Sequence, residues 1–503
     1  MTFFLRMAKR YGTSLVAGLL LASALPPFGW WPLALLGVAI IATRIKEPTF
    51  ISRFSQYSAF GLGFLGPGLF WMTEFHIFGF MLATAIEVFI FASVLSISPT
   101  PSHKNRLSGN TKINIWLLVT LPAGLVLSDA LRGAWPFGGV PIALISQTQI
   151  GGPLSQFARV GGALAITALV GIVGVGLGSL MHSRRVLNFK TLIAMIVLIG
   201  ALAAGGTAPK GKKIRDLEVS IVQGGGERGT RAINTDAQEV VDAHLTASTE
   251  IPKGVDLVLW PEDVIEIEGS ITDSSTDRGM GALAKRFGAP LAAGIFEIHP
   301  DGNRNAAVVW DKAGKQIDRY EKNQRVPFGE YVPFRSMVAS LADVSAIPAD
   351  AIAGKGPGLL TTPAGDIGVV ISYEVFFARR ARDAMAAGAE LIYVPTNATS
   401  YSTTQMPALE LGAARLRAIE TGRFVLQAAP TGFSAFVDPN GNVVSHTNLG
   451  DRAVLTDIAQ LRTGKTLYTR MGDGPLVTVA LMVISWPLVI RRRKIGGDPE
   501  PRA

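Results

Sequence analysis

Up to about Ala208 the chain is a succession of apolar segments joined by short polar loops, and only a structure built in a lipid bilayer accommodates that pattern. The segments lie near Ser14–Ala24, Trp30–Thr43, Ser58–Met72, Phe78–Ile97, Ile115–Leu131, Gly161–Met181 and Leu192–Ala204, with one more near Leu476–Ile490. Crossing about 30 Å of hydrocarbon takes about 20 apolar residues. Several segments are shorter, so their ends are loosely set. The first two, separated by Pro26-Pro27, read as tilted or partly re-entrant. Composition agrees, because 48% of the 503 residues are hydrophobic and only 17% are charged, against about 25% charged in soluble domains. Residues Met1–Ala24, with Arg6, Lys9 and Arg10 ahead of an apolar stretch, imitate a signal peptide. The spans that follow at once favour an uncleaved first span.

Charge orients these spans. Basic residues cluster at Arg6, Lys9 and Arg10, at Arg44, Lys46 and Arg53, at Lys104, Arg106 and Lys112, at Arg184, Arg185 and Lys190, and at Arg491–Lys494. These are alternate loops. The intervening ones, such as Pro26–Trp30 and Thr73–Ile77, carry almost no Lys or Arg. By the positive-inside rule both termini are cytoplasmic and the long segment before the last span is extracytoplasmic. The net charge of +9 has this explanation, and no nucleic-acid-binding motif accompanies it. Glu74, Glu87 and Asp129 lie in or near apolar segments, where an ionisable group suggests function. Glu74, beside Trp71 and Phe75, is a candidate for lining a lipid entrance. Trp30, Trp31 and Trp135 read as interface anchors.

From about Ile214 to Thr466 the character changes. Strands are predicted at Leu217–Val222, Val255–Trp260, Pro290–Ile298, Ala306–Trp310, Ile367–Ser372 and Leu391–Pro395, and helices at Ala378–Gly388 and Pro407–Thr421. Asp438–Gly441 reads as a turn between strands and Lys210–Lys213 as a linker. This alternation points to a layered α/β fold. The expected organisation is a membrane domain over 1–208 with about seven helices, an extracytoplasmic domain over 214–466, a last span over 474–491 and a cytoplasmic tail over 492–503.

Three polar groups end apolar or strand-like runs. Glu262 follows Leu257–Pro261, Lys322 follows Arg319–Glu321, and Ser372 follows Val369–Ile371. A carboxylate, an amine and a small nucleophile are what acyl or amide transfer requires. Each residue alone is weak evidence: such a Glu is more often a capping residue, such a Ser a turn residue, such a Lys a solvated one. The chain has no cysteine. That excludes a disulfide framework, a thiolate metal site and a thiol nucleophile. No metal site or nucleotide loop stands out, and no cofactor is expected. His244 and His299 lie outside the motifs and read as surface residues.

The words around these residues are more specific. Trp260-Pro261-Glu262, Tyr320-Glu321-Lys322 running into Val326–Pro333, and Ser372-Tyr373-Glu374 resemble the signatures of bacterial apolipoprotein N-acyltransferases, membrane members of the carbon–nitrogen hydrolase (nitrilase) superfamily. Val222-Gln223-Gly224, Thr396-Asn397, Arg415–Arg423 and Thr431–Ser434 support the resemblance, and Gly133–Gln149 is similar to the family's loop beside the active site. The resemblance implies a polytopic α-helical membrane domain of about eight spans plus an extracytoplasmic nitrilase-like α-β-β-α sandwich, in the bacterial plasma membrane. It implies transfer of a fatty acyl chain from a phospholipid, through a covalent acyl-enzyme, to the α-amine of the diacylglyceryl-cysteine of an apolipoprotein. Glu262 would be the general base, Lys322 the oxyanion stabiliser, and Ser372 stands at the nucleophile position. Tyr373 belongs to the same motif. Glu330 and Glu374 would be supporting carboxylates that position Lys322 and the substrate amine.

Two departures stand out. The family's nucleophile is a cysteine, and a serine hydroxyl is a far poorer nucleophile unless strongly activated. Asn397–Tyr401 lacks the family's Asn-Asp-aromatic pattern. Three readings of Ser372 stay open: an engineered replacement, a natural serine in a weakly active or serine-ester enzyme, or a catalytically dead paralogue. The otherwise intact constellation favours a family enzyme whose nucleophile has been replaced, inactive or impaired in this form. Two rival functions are kept: a membrane-anchored amidase, and a non-catalytic membrane partner of polyprenol-phosphate mannose synthase, with which actinobacterial relatives are fused or associated.

Overall fold

The structure is a computed structural model that describes residues 2–45, 49–97, 115–182, 188–227, 235–340, 344–345 and 347–496. Lys46, the cluster at Lys104, Arg106 and Lys112, and Arg184 and Arg185 fall outside the described residues. The chain divides into two compact units, Met1–Thr207 with Met471–Ala503, and Ala208–Arg470.

The first unit is helical: α1 (Thr2–Ala22), α2 (Trp31–Arg44), α3 (Phe50–Gly68), α4 (Ile77–Ile97), α5 (Leu117–Arg132), α6 (Ala158–His182) and α7 (Phe189–Thr207). Among the described residues, Ile77–Ile97, Pro153–Met181 and Phe189–Thr207 are long and apolar enough to cross a membrane, and Trp31–Arg44 and Gly474–Trp486 are shorter apolar helices. Other helices fall below that measure for local reasons. In α1 the first turns carry Arg6, Lys9 and Arg10; α3 carries Arg53 and Gln56; α5 is 16 residues long and contains Asp129 and Arg132. Glycine lets α1 and α3 meet backbone to backbone. A Cβ at Gly18 would lie 2.0 Å from the Phe60 carbonyl oxygen, and one at Gly63 2.2 Å from that of Leu15. Such small-residue contacts are how helices associate where burial from water offers little drive.

Two of the three singled-out acids are internal. Arg132 pairs with Glu87 of α4 and donates to the carbonyls of Ile142 (3.0 Å) and Ala143 (3.2 Å). Asp129 lies 3.6 Å from the same guanidinium. Its Oδ2 accepts from the Ile145 amide at 3.0 Å and from Thr167 of α6 at 2.8 Å. These groups therefore fasten residues 142–145 to α4, α5 and α6. Glu74 is exposed, with Trp71 buried beside it.

The second unit is two packed sheets between helices. Its elements are β1 (Lys212–Gln223), α8 (Ala237–Ala247), β2 (Leu257–Leu259), β3 (Ile265–Glu268), α9 (Ser275–Phe287), β4 (Leu291–Ile298), β5 (Arg304–Trp310), β6 (Gln316–Glu321), α10 (Arg335–Ala339), β7 (Leu359–Thr362), β8 (Gly365–Val369), α11 (Ala378–Ala387), β9 (Leu391–Pro395), α12 (Met406–Thr421), β10 (Val425–Ala428), β11 (Ala435–Val437), β12 (Val443–His446) and β13 (Ala453–Thr463). The short α13 (Leu467–Met471) leads to α14 (Gly474–Gly496) of the helical unit. One sheet runs β13-β1-β2-β4-β5-β6, with β3 on β4; the other runs β12-β11-β10-β9-β8-β7. Strand alternation sorts their faces. Leu257 and Leu259 of β2 join Ile367, Val369, Leu391 and Leu426 between the sheets. Val258 and Trp260 point the other way and join Met280, Leu283 and Ala284 of α9. On the second sheet α11 and α12 supply the outer layer.

Several expectations shift. Lys212 and Lys213 are already in β1, paired with Thr463 and Arg462, so the linker is shorter than the charge run suggested. The strand at Ile367 ends at Val369, and Ser372 opens a 3-10 turn over Ser372–Phe376. His244 is not a surface residue but fully buried. Its ring lies 5.5 Å from that of Trp260, accepts from the Gly224 amide at 3.1 Å and bonds the Val240 carbonyl at 2.7 Å. Burial lowers its pKa to about 4, the Val240 bond opposing, so the ring is neutral at pH 7. His299 is partly exposed.

Candidate active site

Glu262 lies beyond the end of β2, after Trp260-Pro261. Tyr393 of β9 donates to the Trp260 carbonyl and ties this end to the second sheet. Gly294 of β4 backs the turn: its amide donates to the Pro261 carbonyl at 3.0 Å. A Cβ there would lie 2.4 Å from that oxygen and 2.5 Å from Glu262 Cα. Any other residue at 294 would push Glu262 out of place. Asn305 of β5 donates its side-chain amide to Glu262 Oε1 at 2.8 Å.

Lys322 continues β6, its amide donating to the Asn305 carbonyl at 2.8 Å. The buried ammonium donates to Glu262 Oε1 at 2.8 Å and to Glu330 Oε1. Glu330 is held in turn by the Val326 amide, 3.0 Å from its Oε2. Burial alone would lower the Lys322 pKa, but attraction to Glu262 and Glu330 outweighs it, and the ammonium is held above its ordinary range. Lys322 is thus a fixed cation and not a base. Burial raises the Glu330 pKa, with Lys322 opposing.

Ser372 has φ +49°, the left-handed region that lets a chain turn sharply off a strand end. Glu374 fixes the turn. Its Oε2 accepts from the Ile371 amide at 2.9 Å; its Oε1 accepts from the amides of Asn323 and Gln324, each at 2.9 Å. The Tyr320 hydroxyl donates to it at 2.9 Å, and Arg380 lies 3.4 Å away. Arg417 of α12 donates to the carbonyls of Val375 (3.3 Å) and Phe376 (3.2 Å) further along the turn. Tyr373 is buried, its ring edge-on to Phe377 with centroids 5.1 Å apart.

The structure therefore joins Glu262, Lys322 and Glu330 directly. Ser372 makes no bond to them among the described residues; the connection runs through Glu374, which grips the residue before Ser372 and the two residues after Lys322. Among the described residues Glu374 makes no hydrogen bond or ion pair to the Lys322 ammonium, whose partners are Glu262 and Glu330. Sequence reasoning missed Asn305, whose signal was a polar residue at the head of the apolar run Ala306–Trp310. It also missed Glu410, a buried acid of α12 that accepts from Thr396 at 2.9 Å. Burial raises the Glu410 pKa to about 8, Thr396 opposing, and Glu262 and Lys322 are near enough to act on it. In the departing segment, Thr399 accepts a bond from Thr431 at 2.9 Å.

Residues 218–466 match the carbon–nitrogen hydrolase family, and residues 17–176 match the apolipoprotein N-acyltransferase N-terminal domain. This chain belongs to the apolipoprotein N-acyltransferase family. Members similar to it along nearly the whole length include the apolipoprotein N-acyltransferase of Methylococcus capsulatus, 29% identical over 97% of this chain and 98% of the relative. That of Mycolicibacterium smegmatis is 27% identical over 93% of this chain and 82% of the relative. Among solved structures, an amidase from Nesterenkonia is 20% identical, with a TM-score of 0.35 over 53% of this chain and 98% of that chain. A nitrilase-superfamily protein of Saccharomyces cerevisiae is 22% identical, with a TM-score of 0.36 over 54% of this chain and 97% of that chain. As a family member this chain is an acyltransferase with a nitrilase-like domain, and family and apolar helices together point to an inner-membrane protein.

Proposed function

We propose that this chain moves a fatty acyl group from a phospholipid to the α-amine of a diacylated apolipoprotein, with Ser372 as the acyl carrier. The observation that carries this reading is the buried Lys322 clamped between Glu262 and Glu330, in a loop that shares Glu374 with the Ser372 turn. In the first half-reaction Ser372 Oγ attacks the ester carbonyl and its proton passes to Glu262. Lys322 stabilises the tetrahedral oxyanion. Collapse expels the lysophospholipid oxygen, which takes that proton, and leaves an acyl-serine ester. The amine then attacks the ester, gives a proton to Glu262, and Ser372 Oγ departs with it. An oxyester is a weaker acyl donor to an amine than a thioester, so this form is impaired.

The test is direct. The purified chain and its Ser372→Cys variant are mixed with phospholipid vesicles and a synthetic diacylated lipopeptide with a free α-amine. Mass spectrometry should show one added acyl chain, far faster with the variant. Transfer by neither protein would refute the reading and favour a non-catalytic membrane partner.

For orientation, the proposal puts both termini in the cytoplasm and Ala208–Arg470 outside. The absence of cysteine makes single-cysteine labelling clean. In intact cells Lys312→Cys should react with an impermeant thiol reagent and Arg44→Cys should not; labelling of Arg44→Cys from outside overturns the orientation.

A further inference from the structure

Asp263 is a partly buried acid to which the mechanism above gives no task. It directly follows Glu262 at φ +53°, and this left-handed residue ends the alternation that would send neighbouring side chains to opposite faces. Gly294 fixes the turn from behind, since a Cβ there would also lie 2.8 Å from the Asp263 nitrogen. Around Asp263 stand Glu262, Lys322, Glu330 and, from β3, Glu266. Its Oδ1 is sealed from solvent with no hydrogen-bond partner.

The charge count decides its state. One ammonium, Lys322, already serves Glu262 and Glu330. An ionised third carboxylate would have no cation of its own and would bury an acceptor oxygen without a donor, which is costly. Closely spaced carboxyl groups resolve such crowding by keeping a proton. We propose that Asp263 is a positioning residue of this site: it stands as a neutral carboxylic acid, and by carrying no charge it leaves the Lys322 ammonium to be shared between Glu262 and Glu330. Burial and then the Glu262 charge push its pKa well above the ordinary carboxylate range, in keeping with this. The consequence for catalysis rests on the acyl-transfer reading; the state of Asp263 does not.

The test needs no acyl donor or acceptor. Infrared spectra of the full chain in detergent at pH 7 should contain the carbonyl stretch of a protonated carboxyl group, part of which disappears in Asp263→Asn. Glu410→Gln identifies the part due to Glu410. Asp263→Gly, which suits a left-handed backbone, gives the same reading should the Asn variant fold poorly. Unchanged carbonyl intensity in the folded variants overturns the proposal. A chain without transferase activity still yields this readout, so failure here is distinct from failure of the acyl-transfer reading.

Discussion

Ser372→Cys is expected to form an acyl-enzyme with phospholipid vesicles at least about a hundredfold faster than the parent chain, because a thiol is a few per cent ionised at pH 7 and a hydroxyl is not. The product should be cleaved by neutral hydroxylamine, as thioesters are; the ester at Ser372 should resist it. The exchange is small in volume, and the turn that carries residue 372 is held by backbone bonds to Glu374 and Arg417, so the new sulfur inherits the same place. Both proteins are compared by intact mass after a short incubation. Equal rates of N-acylation would mean that thiol chemistry is not what limits this chain.

Next in size is the split between Glu262 and Lys322, measured in the Ser372→Cys background. Glu262→Gln removes the base and should abolish acyl-enzyme formation near neutral pH. Raising the pH should partly restore it, because more thiol then ionises unaided. Lys322→Met should be slow at every pH, since hydroxide cannot replace a fixed cation; loss of such a stabiliser costs about 3–4 kcal/mol in the barrier. It also leaves Glu262 and Glu330 buried together without the charge between them. Removing one partner of a buried pair costs about 3–5 kcal/mol in stability, so melting curves must accompany the rates. Alkaline rescue of Lys322→Met but not of Glu262→Gln would reverse the two roles.

Much of this site was legible because strands are. Apolar runs ending in Glu262 and Ser372 mark strand ends, and both residues stand just past them. The layered sheets followed from the same runs, with Leu391–Pro395 recovered residue for residue. Partnership was less visible. Nothing in the spacing of Ser372-Tyr373-Glu374 says that Glu374 reaches back to Ile371 and across to Asn323 and Gln324, because those bonds depend on which loops the sheets bring together. Glu410 is 148 residues from Glu262 in sequence and meets it only through the packing of α12. The left-handed backbone at Asp263 and Ser372 had no local signature, since neither is glycine. His244 looked solvated because its helix is polar, yet it lies on the face turned toward Trp260.

The buried charges of the helical unit bear on how the protein is made. Glu87 emerges from the ribosome on α4 before Arg132 and Asp129 emerge on α5. Each alone is a costly passenger in hydrocarbon, by a few kcal/mol. Together they offset one another, and Arg132 and Asp129 hold the backbone of the segment that follows, through the carbonyls of Ile142 and Ala143 and the amide of Ile145. Inserting α4 together with α5 is therefore less costly than inserting α4 alone, because the Glu87–Arg132 pair can form as the two helices enter.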